Sequence, residues 1–403
     1  MKAQDRYTMS KLADIHGRLF RIRIFQPVIL EYRKGLYAGL GKKYGDRIEV
    51  WASDCLGADK SISLAGIRTD YNHPFIKVGP FLWQRRLTLR GMKKGDVLVV
   101  CGEPRQLSSL YFALAAKIRG IRVIWWGHHA SANSKRARVY VRLQIAKKLS
   151  DIFLTYTDAG VNYLVQRGFS SQRVFATGNT IDTGNVLAAI ARYSANGDDG
   201  KPLIDSFRIK NGLSGKKVLL FCGMMREKVC LDVLLRALAM LLPHCNNWHC
   251  VMIGDGERLS MWRSLSHELN LDEHITWTGA ILGQEKLAPW FMSADLFVYP
   301  GRIGLSVIHA LSYGVPVLLN DNPHDHGPEY VVFKPGENGF AFKYGDSNDM
   351  CSKIIQALEN PELHRFGVSG RDLIYTKYSM DKMVERYSAA IEAAAMTERT
   401  NND

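Results

Sequence analysis

No stretch of this 403-residue sequence stays apolar over the roughly 20 residues that a bilayer-spanning helix needs. The opening residues, MKAQDRYTMSKLADIHGRLF, lack the apolar core of a secretory signal, so the expectation is a chain that stays in the cytoplasm. Cysteines are few and unpatterned. Seven stand at 55, 101, 222, 230, 245, 250 and 351, an odd count without a Cys-x-x-Cys pair, which points to reduced, mostly buried thiols and away from a disulfide or zinc framework. Acidic residues are scarce in one part of the chain. Residues 1–150 hold 29 Lys and Arg against 10 Asp and Glu, whereas the remainder holds 24 against 29. The whole positive excess of the +14 chain therefore lies in its first part, which predicts an anionic partner there: a membrane surface, a phosphorylated substrate or nucleic acid.

What is present is the alternation of buried-strand and helix patterns that makes an α/β protein, at a length sufficient for two domains with sizeable cores. Strand patterns occur at Phe20–Phe25, Arg47–Trp51, Asp96–Cys101, Ile121–Trp126 and Asp151–Tyr156. Thr157 or Asp158 is suited to cap the helix after the last of these. A polar, glycine-bearing segment, SANGDDGK at 194–201, reads as part of a connection. A second set of patterns begins at Lys217–Cys222 and continues through His249–Gly254 and Ile275–Gly279. Two basic segments with large apolar residues, 81–94 and 135–148, suggest an interfacial membrane contact or core-packed elements with snorkelling arginines. In the second, helical spacing puts Val139, Leu143 and Ala146 on one face.

The most informative stretch is 295–320, DLFVYPGRIGLSVIHALSYGVPVLLN: a strand, a glycine-bearing turn, a helix and a second strand. Such a turn offers backbone N–H groups that suit a phosphate. Gly304-Leu305, Ala310 and Gly314-Val315-Pro316-Val317 make the stretch similar to the donor-site signature of the retaining, GT-B-fold glycosyltransferases of family 4 (glycosyltransferase group 1). It departs from that signature at both glutamate positions, which hold Gly301 and His309. The resemblance implies a GT-B fold, two Rossmann-like doubly wound domains facing across a cleft and closing on a nucleotide-sugar. Its bounds are an N-terminal acceptor domain at 1–182, a linker at 183–215, a donor domain at 216–375 and, at 376–403, a C-terminal helix packing back on the first domain with a frayed tail.

The same resemblance implies site residues. Lys228 matches the family's diphosphate-clamping lysine; Met224 stands at the arginine position, so Arg226 would reach in from two residues on. Gly223, Gly254, Gly279 and the turn Ile303-Gly304-Leu305-Ser306 would surround the donor, and His309 would take the ribose-binding role of the missing glutamate or lie merely buried in the helix. His128, after a Trp-Gly-His pattern, would lie near the transferred sugar or serve only the structure. Tyr32 and Arg33 open the helix beside the acceptor, where Arg33 would meet an acceptor phosphate or lie on the helix surface. No Asp-x-Asp motif of metal-dependent transferases occurs, so no metal or other cofactor is expected; a metal reading of His324, Asp325, His326 and Glu329 is disfavoured by the two prolines that constrain their loop. The implied activity is retaining sugar transfer from a nucleotide-sugar to a lipid-linked saccharide in bacterial surface-polysaccharide (O-antigen or capsule) synthesis, with the basic domain on the inner face of the cell membrane and no nucleic-acid partner. A degenerate GT-B scaffold and a nucleotide-sugar 2-epimerase are the alternatives.

Overall fold

A computed structural model describes residues 19–53, 67–103, 105–128, 136–197 and 202–397. Cys55, His129, Lys135, the stretch 198–201 and the tail from 398 lie outside the described residues. The chain divides into two compact units, Met1–Asn179 with Met380–Asp403, and Thr180–Ser379.

The first unit is built on a seven-stranded parallel sheet in the order β3-β2-β1-β6-β7-β8-β9. Its strands are β1 (Ile22–Gln26), β2 (Ile48–Ala52), β3 (Arg68–Asp70), β6 (Val97–Cys101), β7 (Arg122–Trp126), β8 (Ile152–Thr155) and β9 (Val174–Ala176), with an antiparallel hairpin, β4 (Phe75–Val78) and β5 (Phe81–Gln84), inserted before β6. The central strands are buried along their length, which is why they read as nearly unbroken apolar runs. Helices α1 (Lys34–Tyr44), α2 (Leu107–Ile118), α3 (Arg136–Leu149) and α4 (Asp158–Val165) cover the sheet. α1 follows a 3-10 turn at Glu31–Arg33 and buries Leu36, Tyr37, Leu40 and Tyr44, the i, i+3/i+4 spacing of one helix face. The Thr157 hydroxyl accepts from the Gly160 N–H at 3.1 Å and so caps α4, as its side-chain type predicts. On α3 the predicted face Val139, Leu143 and Ala146 is the buried one.

Segment 81–94 differs from a surface membrane element. Leu87, Leu89 and Met92 enter the core, while Arg85, Arg86, Arg90, Lys93 and Lys94 stay outside. Only the hairpin exposes apolar residues there: Ile76, Val78 and Phe81. The apolar positions pack inward while the basic ones stay outside, but on strand β5 and the loop after it, where the snorkelling alternative expects a helix.

The second unit carries six parallel strands in the order β12-β11-β10-β13-β14-β15. They are β10 (Lys217–Cys222), β11 (Trp248–Ile253), β12 (Ile275–Gly279), β13 (Leu296–Tyr299), β14 (Val317–Asn320) and β15 (Gly339–Phe342). The segment 183–215, expected as a linker, holds α5 (Thr183–Ser194) and α6 (Leu203–Lys210). Asp182 caps α5 through the Asn185 N–H, and Val186, Ala189 and Leu213 join the core of this unit. The polar stretch between the two helices conceals, in sequence, an amphipathic helix on either side. The remaining helices are α7 (Leu231–Leu241), α8 (Leu259–Glu268), α9 (Gln284–Met292), α10 (Ser306–Ser312), α11 (Ser347–Leu358) and α12 (Leu363–Lys377).

The last helix, α13 (Met380–Met396), belongs to the first unit. Its Met383, Tyr387, Ala390, Ile391 and Ala394 lie in one core with Ile24, Tyr37 and Trp126. Tyr387 meets the Trp126 ring edge-on, with centroids 5.0 Å apart. Both units use the same device to fix strand starts: an aspartate just before a strand accepts from a backbone N–H on or just before the neighbouring one. Asp151 Oδ2 takes the Val123 N–H at 2.7 Å, Asp295 Oδ2 the Val218 N–H at 2.7 Å, and Asp96 Oδ1 the Arg21 N–H at 3.0 Å. The doubly wound α/β arrangement expected from the sequence is thus present twice. No helix among the described residues is long and apolar enough to cross a membrane.

Candidate functional site

In open parallel sheets, ligands bind beyond the carboxyl ends of the strands, where the strand order reverses. In the second unit that reversal lies between β10 and β13. The loops leaving β10, β11 and β12 are hydrogen-bonded in series: the Gly223 N–H donates to Ile253 O at 3.0 Å and the Gly254 N–H to Gly279 O at 2.9 Å. Three of the expected donor-side glycines are therefore brought together. Gly254 has φ +143°, and a Cβ built on it would stand 1.9 Å from the Gly223 carbonyl oxygen, so only glycine lets these loops close on one another.

After Gly223 the chain buries Met225, whose N–H donates to Asp255 O at 2.9 Å. It then makes a 3-10 turn at Glu227–Val229. Arg226 and Lys228 are exposed on this turn, and no ion pair or hydrogen bond of either side chain is recorded among the described residues. The turn abuts the loop after β13: the Arg302 N–H donates to the Lys228 carbonyl at 2.9 Å. Gly301 is buried in this junction, where a Cβ would lie 2.3 Å from Lys228 O and 2.5 Å from the Val229 carbonyl. A carboxylate side chain at 301 has no room. Arg302 is exposed beside Lys228 and adds a third cation that the comparison of glutamate positions passed over.

The turn itself is held from behind. His326 Nδ1 accepts from the Ile303 N–H at 3.2 Å, while Nε2 lies 3.2 Å from Asn320 O. The proton therefore belongs on Nε2, and burial, which lowers the pKa of His326, keeps the ring neutral. Of the expected donors in the turn, Ile303 is already committed to His326. The Val307 N–H goes to Gly304 O at 3.2 Å, and those of Gly304, Leu305 and Ser306 have no partner recorded among the described residues. The buried Glu329 carboxylate lies against Gly304, 3.8 Å from where a Cβ would stand. His326 and Glu329 are thus support for the turn.

His309 is half-buried on α10. Its ring packs on Phe291, with centroids 4.4 Å apart, and the Gln284 side-chain amide lies 3.0 Å from Nε2. Burial pushes its pKa down to about 4, so it is uncharged at neutral pH. The ring thus packs on α9 and is hydrogen-bonded to it.

The first unit has its own switch point, between β1 and β6, and a cavity of about 290 Å³ opens there. Its walls come from the loop after β1 (Gln26 to Arg33), the loop after β6 (Cys101 to Gln106), His128 after β7 and Tyr156 after β8, with Trp126 and Arg142. The structure thus brings Arg33 and His128 to one pocket. His128 is exposed, its ring 4.6 Å from that of Tyr156, and its carbonyl accepts from Arg142 Nη2 at 3.2 Å. Tyr32 flanks Arg33, whose guanidinium carbon is 5.6 Å from the Tyr32 ring centre, without lining the cavity. Cys101 is no nucleophile: burial pushes its thiol up to about 11.

Residues 216–360 match the family described as Glycosyl transferases group 1. The chain is 24% identical over 176 residues to the N-acetyl-alpha-D-glucosaminyl L-malate synthase of Bacillus anthracis, covering 43% of this chain and 44% of that protein. It is 24% identical over 259 residues to the lipopolysaccharide 1,6-galactosyltransferase of Escherichia coli K12, covering 62% of each. Both matches span less than two thirds of the relative's length. Among solved structures, the Anabaena protein HepE in complex with UDP superposes with a TM-score of 0.69 at 14% identity, over 92% of this chain and 98% of that one. The two parallel sheets of this chain are those of the GT-B fold, and residues 216–360 match the family model of glycosyl transferases group 1.

Proposed function

We propose that the chain is a retaining, metal-independent glycosyltransferase that moves a sugar from a nucleotide-sugar to a lipid-linked saccharide in the synthesis of a bacterial surface polysaccharide such as O-antigen or capsule. The observation that carries the donor half is the junction at the β10–β13 switch point, where Lys228 and Arg302 are tied backbone to backbone with Arg226 on the same turn. Cleavage of a glycosyl–phosphate bond builds negative charge on the departing diphosphate, and preplaced cations there stabilise it. HepE binds UDP and has the same fold, which favours a uridine nucleotide. The pocket that Arg33 and His128 line is the acceptor side of the reading. The lipopolysaccharide galactosyltransferase supports a surface-glycan acceptor.

Membrane attachment of the first unit is part of the proposal. α2 exposes Tyr111, Leu114 and Ile118, the last 78% accessible, and α3 exposes Tyr140, Val141 and Ile145. The two helices adjoin, since Lys117 Nζ donates to Lys148 O at 2.7 Å, and Lys147 and Lys148 are exposed beside these apolar residues. Apolar side chains rimmed by lysines suit the surface of an anionic bilayer.

A second reading is a binding protein without transfer activity, and it has its own support: Gly301 is walled off and His309 is packed away. Calorimetric titration of UDP-, GDP- and dTDP-sugars into the wild type and Lys228→Ala separates the cases. The expected result is binding of one nucleotide class, weakened by the substitution, followed by sugar transfer to a lipid-linked acceptor. Binding without transfer favours the second reading, and no binding to any donor sinks the assignment.

A further inference from the structure

The first unit's pocket holds a charge that no ion pair recorded among the described residues balances. The Arg33 guanidinium has five N–H donors and stays protonated at any ordinary pH. Both of its recorded hydrogen bonds go to neutral oxygens: Nη2 to the Tyr156 hydroxyl at 3.1 Å, and Nη1 to Gln26 Oε1 at 3.4 Å. Its Nε is shut off from solvent without a partner, and no ion pair is recorded for it among the described residues. The Trp126 ring lies 4.5 Å from the guanidinium carbon. Cation–π contacts of this kind recover only part of the hydration that a withdrawn guanidinium loses. Of the other residues that line the pocket, Trp126 also holds a buried nitrogen, Nε1, without a hydrogen-bond partner. A purely structural core satisfies such groups, so the two nitrogens point to a polar ligand in this pocket.

The charge and size of the pocket narrow what that is. Among the described residues, the Arg and Glu side chains that line it are Arg33 and Arg142 against Glu103, a net of one positive charge. About 290 Å³ accommodates one sugar ring, and an indole face with polar side chains around it suits a pyranose. A pyrophosphate would bring more than one negative charge into the company of Glu103. A single carboxylate on a sugar ring balances the pocket, and its two oxygens match the guanidinium fork. We propose that this pocket binds a uronic acid unit of the acceptor, its carboxylate against Arg33. The proposal rests on the acceptor reading of this unit and names the class of acceptor sugar.

The test is titration of the full-length protein, saturated with UDP, with methyl glucuronoside, methyl glucoside and methyl glucoside 6-phosphate, followed by saturation-transfer NMR. Expected is binding of the glucuronoside about tenfold or more tighter than the neutral glucoside. Arg33→Gln should abolish that preference and Arg33→Lys should keep part of it. Because Arg33 is close to the core, Glu103→Gln provides an independent arm: removing the exposed carboxylate should tighten the glucuronoside several-fold without changing the glucoside. Equal binding of the glucuronoside and the glucoside overturns the proposal, as does preference for the phosphate or an affinity that Glu103→Gln leaves unmoved. UDP affinity, measured separately, reports on the donor assignment alone, so a failure there is distinguishable from a failure here.

Discussion

The Arg302 N–H and the Lys228 carbonyl are 2.9 Å apart, so the loop that ends β10 and the loop that ends β13 are one hydrogen-bonded body. The contact exists because Gly301 has no side chain: the 227–229 backbone occupies the space a Cβ would need. The glycine that looks like a lost carboxylate is thus the residue that lets two cation-bearing turns close on one another.

Putting the carboxylate back should therefore do harm. Gly301→Glu and Gly301→Ala both drive a Cβ into the Lys228 and Val229 carbonyls, a backbone clash that no rotamer relieves. Expected is a destabilisation of about 1–3 kcal/mol and a loss of nucleotide affinity, both read by UDP-dependent thermal shift. Tighter UDP binding by Gly301→Glu would show that the junction opens freely.

Arg302 should behave like Lys228. Each is exposed, so its alanine variant should keep wild-type stability within about 0.5 kcal/mol. UDP affinity should fall about tenfold in each, with a weaker salt dependence than the wild type has. An Arg302→Ala protein with unchanged UDP affinity would remove this residue from the donor site.

Acid should loosen the second unit through its neutral histidines. Burial holds His309 and His249 at about 4, against about 6.5 in an unfolded chain. Between those values the unfolded state binds the proton more readily. The stability from the neutral rings is therefore complete above pH 6.5 and is lost as pH falls toward 4, by at most about 2–3 kcal/mol for each. His309→Gln keeps a partner for Gln284 and should remove about half of the slope in urea unfolding free energy between pH 7 and pH 5. An unchanged slope would mean that the ring is hydrated.

Tyr387→Ala should damage the first unit selectively. The ring is fully buried against Trp126, and removing it costs about 3–5 kcal/mol. Hydrogen exchange should accelerate in β1, β6 and β7 while β10 to β15 keep their protection. Equal loss in both units would show that they unfold as one.

Much of this architecture can be read from the sequence for a plain reason. Strands such as Val97–Cys101 and Leu296–Tyr299 are buried on both faces, and an aspartate marks where each begins, so they stand out as Asp-led apolar runs. Gly254 and Gly301 stand where neighbouring backbone leaves no space for a Cβ, so these glycines mark the loops that close on one another. Other features depend on contacts between distant residues and leave no local trace. Nothing around Gly301 announces that the Lys228 turn fills its space, and nothing beside His309 announces Phe291 and Gln284 from α9. In 81–94, where Leu87, Leu89 and Met92 point inward, composition leaves two readings open, because a mixture of arginine and leucine has the same composition whichever side the leucines face. At 183–215 the polar stretch drew attention from Val186 and Ala189, whose spacing belongs to a buried helix face.

The position of α13 sets an order of events during synthesis. The first unit's core includes residues from β1 and from Met380–Ala395, and the whole second unit is encoded between them. On the ribosome the second unit can finish folding while the first still lacks the helix that covers Ile24, Tyr37 and Trp126. The half that is translated first is completed last. Until α13 emerges, the first unit of a nascent chain presents an uncovered apolar face.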